Sequence, residues 1–415
     1  MKVVISSDTY TPMINGVAVF CESLARGLVR DGHEVLVVCP SLTGKTSVQK
    51  DEAEPGLRIL RLRSGRFPFY PDQINAVPVN DKKIKIPRLV YKNGLHVSPI
   101  AYDVIKKHLD EFKPDVIHNH VPGPVGWSML RYAKSRKIPF ISTGHSYPDN
   151  FTANLNLQIV KKPADFLARE YLASIMRLSD YSVFPAAIAL KELFPRPKAT
   201  LHTAVVPNGI DLSRFSPAKV HPSFCKKHKL PVDKPIVSFI GRIDKEKSID
   251  VLIEAFTIVA KETDAHLLFV GDGNFKTTAE KMVKDLKLGS RVTFAGRVVG
   301  PDLVEFYRVG TLYATASTTE VQSIAILEAM ACGQPIVAVD AGPMSELCHD
   351  DENSLLANPE DVEEIANHIT NIIKDKKLHA KLSKGALKMA NAHDIRTTVS
   401  EYLDIYNDAI EVAKE

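Results

Sequence analysis

The sequence predicts an α/β protein made of two doubly wound, parallel-sheet domains. Three observations carry this. Short apolar runs alternate with helical stretches along most of the chain, the alternation is broken once by a proline-rich stretch, and 415 residues at 45% hydrophobic content suffice for two cores. Strands that alternate with helices imply parallel pairing through right-handed crossovers.

Strand-like runs fall at residues 3–6, 35–39, 116–118, 140–143 and 181–184, with a helix over 21–30 between the first two. A second series follows at 236–240, 266–270, 292–294, 312–314 and 336–339. Between the series, Pro207, Pro217, Pro222, Pro231 and Pro235 mark an irregular connection. The expected domains are 1–205 and 235–389, joined by a linker over 206–234 and followed by a terminal helix in 390–415. Two such sheets would present their strand carboxyl ends across a central cleft, where ligands of doubly wound folds bind.

Cys21, Cys39, Cys225, Cys332 and Cys348 are odd in number and scattered, with neither zinc spacing nor a disulfide framework. A reducing cytoplasm is the expected compartment. The opening MKVVISSDTY is too short an apolar run for a signal peptide, and no run approaches the roughly 20 apolar residues of a membrane-spanning helix. Membrane contact would then be peripheral. No nucleic-acid recognition motif is present.

Two segments carry chemistry. In TTEVQSIAILEAMACGQPIVA, Ser317, Thr318 and Thr319 are cap-type residues, 324–330 is helical, and Gly333 and Pro335 close the helix. Glu320 precedes the helix and Glu328 lies about two turns further on. A helix start suits a diphosphate, so the two carboxylates can hold hydroxyls at opposite ends of a nucleotide-sugar. The same stretch also reads as an amphipathic helix with one exposed Glu. In SFIGRIDKEKSIDVLIEAF a strand runs into Gly241, Arg242 and Lys247, then into a helix from about Ser248. Two cations at a strand end and helix start make a phosphate site, although Arg and Lys are also common in solvated turns.

Taken together, GRIDKEK and the E-x7-E pair resemble the retaining glycosyltransferases of family 4, which have the GT-B fold. DTYTPMINGVAVF, VIHNHVPGP, STGHS, VPNGIDLSRF, GDG and FAGRV extend the resemblance over essentially the whole chain. GRFPFYPDQINAVP is most similar to the glycolipid-forming branch. The resemblance implies a nucleotide-diphosphate hexose donor, with UDP favoured over GDP-mannose, and an acceptor hydroxyl on a membrane lipid. It implies no cofactor. It also implies a final helix that returns to the first domain.

The implied donor site has several parts. Arg242 and Lys247 meet the diphosphate, Glu320 holds sugar hydroxyls, and Glu328 binds the ribose diol. The amides of Gln322, Ser323 and Ile324 add donors, although many relatives read E-G-F-G where this chain has Glu320-Val321-Gln322-Ser323. The base is assigned to the region of Gly271, Asp272 and Gly273 and of Gly296, Arg297 and Val298. Asn15 and Gly16 correspond to a loop over the diphosphate that often has two glycines. His145 matches an active-site histidine, and His120, Phe69 and Tyr70 are placed on the acceptor side. His118 and His120 form an H-x-H pair that can ligate metal or make ordinary strand-end hydrogen bonds. No further ligand has suitable spacing and there is no D-x-D motif, so no metal is expected. A transferase acting on soluble glycans and a silent nucleotide-sugar-binding protein are the rival readings.

Charge is uneven. Residues 1–200 hold 28 Lys and Arg against 18 Asp and Glu, a balance of +10, and the remainder hold 25 against 31. Arg63, Arg66, Lys82, Lys83, Lys85, Arg88, Lys161 and Lys162 are interspersed with apolar residues including Phe67, Phe69 and Tyr70. That mixture suits an anionic lipid surface, and it also suits solvated loops.

Overall fold

The computed structural model describes residues 1–13, 15–66, 96–97, 102–145, 161–195 and 201–414. It divides into two compact units, residues 1–209 with 395–415, and residues 210–394.

In the first unit the strands are β1 (Lys2–Ser6), β2 (Glu34–Pro40), β3 (Ser47–Lys50), β4 (Leu57–Leu62), β5 (Gly65–Arg66), β6 (His96–Val97), β7 (Val116–Asn119), β8 (Phe140–Thr143), β9 (Tyr181–Phe184) and β10 (Thr203–Val205). Eight of them form one sheet in the order β10-β9-β8-β7-β1-β2-β4-β3, and β5 pairs with β6 separately. Only β3 runs antiparallel within the large sheet. Chain order reverses between β1 and β7, so their carboxyl ends mark this sheet's switch point. The Gly16–Arg30 helix follows β1 and buries Ala18, Phe20, Cys21, Leu24, Ala25 and Leu28 on one face. It begins at Gly16, where Asn15-Gly16-Val17 follows the first strand, because Asn15 caps it, accepting from the Ala18 amide at 2.8 Å.

The terminal helix is Ile395–Val412, grouped with the first unit. Residues 390–392, read as its start, instead end the preceding helix, Lys376–Ala392. His393 and Asp394 separate the two. A side chain at Gly27 would lie 2.6 Å from Val399 Cγ2, so the glycine allows this helix close against Gly16–Arg30.

In the second unit β11 (Ile236–Ile240), β12 (His266–Val270), β13 (Val292–Gly296), β14 (Leu312–Ala314), β15 (Ile336–Val339) and β16 (Ser354–Ala357) form one parallel sheet. Their order is β13-β12-β11-β14-β15-β16, which puts the switch point between β11 and β14. The sheet is buried under helices Ile249–Glu262 and Val362–Lys374, whose Ile253, Phe256, Ile365 and Ile369 join Val237, Phe269 and Val337 in the core. The proline-marked stretch 206–234 is not wholly irregular: Pro222–Lys227 is a helix, and residues from 210 on belong to the second unit. Proline fits the first turn of a helix, where its missing N–H is not needed. Phe215 packs edge-on against Tyr307 at 5.6 Å and Phe224 against Phe306 at 4.9 Å, which anchors the stretch. Among the described residues no helix is long and apolar enough to cross a membrane.

Candidate active site

The charged residues singled out in the second half converge at the switch point of the second sheet. β11 ends at Ile240, and the chain passes through Gly241 and Arg242 into a 3-10 turn, Lys245–Lys247, before helix Ile249–Glu262. The Arg242 guanidinium donates to both Asp244 and Glu246. Lys247 Nζ donates to Glu320 Oε1 at 2.7 Å. Burial alone would raise the Glu320 carboxyl, but the charges of Lys247 and Arg242 and the donation from Lys247 hold it below the usual carboxylate range. Both cations are therefore held by carboxylates, which fixes their positions and makes a diphosphate compete for them.

The loop after β12 packs directly on this turn. Ile243 N donates to Asp272 O, Phe275 N to Ile243 O, and Asn274 N to Asp244 Oδ1 at 2.8 Å. Gly271 has a φ of +150° and a Cβ there would fall 1.8 Å from Gly241 O, so only glycine allows the two backbones to cross. At Gly273 a Cβ would meet Ile243 O at 2.4 Å. Arg297 and Val298 follow β13, both half-buried. Burial lowers the Arg297 guanidinium to about 10, with Asp272 opposing that shift.

Helix Ile324–Ala331 starts at the residue where the helical run in the sequence begins, although the expected cap-type residues do not cap it. Its N-cap is Ser323, not Ser317, Thr318 or Thr319, and the Ser323 side chain makes no cap bond. Gln322, whose amide lies 3.5 Å from His393 Nε2, and Ser323 and Ile324 form the turn entering the helix. Glu328, in the second turn, is buried, so it is not the exposed residue of an amphipathic helix. Burial raises its carboxyl to about 7, against the lowering effect of a bond from Tyr307 and of the Arg214 charge. Tyr313, on β14, donates to Ile240 O at 3.1 Å and feels both Glu320 and Glu328.

In the first unit, the switch point gathers three histidines. His118 bonds Tyr406 Oη at 2.6 Å and Thr143 Oγ1 at 2.7 Å, and Thr143 Oγ1 bonds Tyr402 Oη at 3.0 Å. His120 Nδ1 lies 3.0 Å from His145 Nε2. Burial holds all three below the ordinary imidazole range, His145 at about 3. In the same unit Asp8 is buried, accepts from the Val125 amide, and is raised to about 7 by burial.

Arg242, Lys247 and Glu320 are thus brought together, as are His120 and His145. Asn15 serves as a helix cap beside Gly16. Phe67, Phe69, Tyr70, Lys82, Lys83, Lys85 and Arg88 lie outside the described residues, as do the side chains of Arg66, Lys161 and Lys162. Sequence reasoning missed Tyr307, Arg214 and Asp8. Arg214 sits in VPNGIDLSRF and Asp8 in DTYTP, both within the motifs that carried the family resemblance, so their charge was a usable signal. Tyr307 gave none, since it sits among apolar helix residues. Among the described residues, no group of three or more His, Cys, Asp or Glu could hold a metal ion.

Two doubly wound units with cations and carboxylates at a switch point define an α/β protein of the doubly wound class, whose ligands bind at strand carboxyl ends. The solved structure of sucrose-phosphate synthase from Thermosynechococcus elongatus aligns with a TM-score of 0.79 over 99% of both chains at 20% identity, which is the GT-B fold. Residues 14–214 match Glycosyltransferase Family 4, and residues 221–389 match Glycosyl transferases group 1. The chain belongs to glycosyltransferase family 4 and is a glycosyltransferase. An alpha-monoglucosyldiacylglycerol synthase of Acholeplasma laidlawii is 25% identical over 394 residues, 93% of this chain and 92% of that protein. A GDP-mannose-dependent alpha-mannosyltransferase of Mycobacterium tuberculosis is 24% identical over 359 residues, 86% and 83% of the two.

Proposed function

We propose that this glycosyltransferase moves a hexose from a UDP-sugar to a hydroxyl of a membrane lipid, with retention of configuration and without a metal ion. The observation that carries the reading is the Lys247–Glu320 pair, with Arg242 beside it, ahead of the Ile324–Ala331 helix. Cleaving the anomeric bond places positive charge on the sugar ring and negative charge on the departing diphosphate. Fixed cations and helix-start amides meet that charge without reorganising, which lowers the barrier. Arg242 and Lys247 then do what a divalent cation does elsewhere.

In this reading Glu320 holds sugar hydroxyls and Glu328 the ribose diol. Gly271, Gly273, Arg297 and Val298 border the base, and Gln322, Ser323 and Ile324 add amides. Asn15, Gly16 and His145 keep the donor roles that the family resemblance implies, and His120 the acceptor side. Transfer forms the bond from acceptor oxygen to anomeric carbon, breaks the bond from that carbon to phosphate oxygen, and passes the acceptor's proton to the leaving phosphate. The Acholeplasma relative's name favours a lipid acceptor and a glucosyl donor. The mycobacterial relative's name favours GDP-mannose instead, so guanine is the second reading. The test is transfer of radiolabelled sugar to diacylglycerol, phosphatidylinositol and soluble glycans in parallel. Product in the lipid phase supports the reading, and product only on soluble acceptors overturns its lipid part.

A lipid acceptor also calls for contact with the membrane, and one exposed face suits it. On the Lys161–Arg177 helix Phe166 is 63% and Leu167 67% exposed, with Tyr171 and then Leu178 also exposed. Their half of the chain carries the +10 balance. Phe166→Ser with Leu167→Ser is expected to lower the partition coefficient onto anionic vesicles by about thirtyfold, since each side chain contributes on the order of 1 kcal/mol when partly buried. Hydrolysis of the donor in solution should be unaltered. Equal co-sedimentation of variant and parent would place membrane contact elsewhere.

A further inference from the structure

The histidine pair in the first unit carries an inference about which nitrogen holds the proton. His120 is buried, whereas His145 is half-buried. His120 is clamped: its ring lies 3.9 Å from that of His118, and Phe20 packs on it at 5.7 Å and on His145 at 5.1 Å. His118 is itself fixed at both nitrogens, by Tyr406 and Thr143. Only one hydrogen joins His120 Nδ1 to His145 Nε2 across their 3.0 Å separation. The other nitrogen of His120, Nε2, is buried with no hydrogen-bond partner among the described residues.

A neutral imidazole has one N–H and one lone pair. If His145 donated to His120, the His120 proton would sit on Nε2, a buried N–H with nothing to accept it. Such orphan donors are rare in folded proteins. The reverse arrangement leaves only a lone pair at Nε2 and uses the Nδ1 proton. Its consequence passes to His145: with Nε2 accepting, the His145 proton must be on Nδ1.

We propose that His120 is a positioning residue that holds His145 in the tautomer protonated on Nδ1, so that His145 meets the donor sugar or departing phosphate as an N–H donor and not as a base. The functional half of this rests on the reading that His145 lies at the transferring sugar. It agrees with the leaving phosphate taking the acceptor's proton, since His145 then has no free lone pair for that task.

The experiment has two arms on the full chain. In the first, 15N-histidine spectra of the parent protein, with His145 assigned by its loss in His145→Gln, read the tautomer directly. Protonated Nδ1 and bare Nε2 are expected, and a proton on Nε2 overturns the proposal. In the second, His120→Ala is expected to lower kcat about thirtyfold with little change in donor KM, the scale of losing an orienting partner. His120→Asn, whose amide nitrogen replaces the Nδ1 donor, should recover most of that loss. Equal kcat for the two variants overturns the proposal. If His145→Gln transfers sugar as well as the parent, the functional reading of His145 fails, while the spectra still decide the tautomer.

Discussion

Lys247→Ala lowers kcat for sugar transfer by about a thousandfold, the scale of losing a preorganised group that meets developing charge in a transition state. Two effects combine. One cation aimed at the diphosphate disappears, and Glu320 loses the partner whose Nζ lies 2.7 Å away. Lys247 leads the charges that hold Glu320 below the usual carboxylate range. Without it the carboxyl shifts upward or stays charged and unpaired, and an unpaired charge there repels the donor. Adding Glu320→Ala to Lys247→Ala should therefore cost less than the product of the single losses. A fall in kcat with donor KM nearly constant assigns Lys247 to the transition state. A rise in KM with kcat unaltered would make it a plain binding residue.

Glu328→Ala raises the dissociation constant for UDP by about a hundredfold, as expected for losing two hydrogen bonds to a charged group. Titration offers a second readout. Burial raises the Glu328 carboxyl from 4.5 to about 7 in the folded chain. Between those values the folded state binds more protons than the unfolded state, so stability falls as pH rises through that window. The loss attributable to Glu328 is at most on the order of 3 kcal/mol. Glu328→Gln removes the titration and should flatten this part of the Tm–pH curve. Asp8, also raised to about 7, has the same sign, so only the difference from the parent reports Glu328. A ribose diol donates to the carboxylate and favours its charged form, so UDP binding near pH 6 should release more protons from the parent than from Glu328→Gln. Equal release would remove Glu328 from the ribose.

Much of this site could be read from the chain because its chemistry is local. Arg242 and Lys247 belong to one turn, and Glu320 and Glu328 to one turn and helix, at strand ends whose apolar runs are plain. β8, β9, β11, β12, β14 and β15 coincide with the runs at 140–143, 181–184, 236–240, 266–270, 312–314 and 336–339. β3 and β4 were illegible for a physical reason: SVQK is wholly exposed, and LRILRL interrupts its apolar pattern with two arginines. Partners distant in sequence were equally hidden. His118 looked like half of an H-x-H pair, yet its Nδ1 is bonded to Tyr406, 288 residues away. Tyr307 reaches Glu328 from a different helix, and no spacing rule joins them.

The central claim is that Arg242, Lys247, Glu320 and Glu328 form a donor site that needs no metal. Isothermal titration of UDP- and GDP-sugars into the full chain, with EDTA throughout, tests it most directly. The account predicts saturable one-to-one binding of one sugar nucleotide, lost when Lys247→Ala and Glu328→Ala are combined in a folded variant. Binding that needs a divalent cation, or that persists unchanged in that variant, would contradict it.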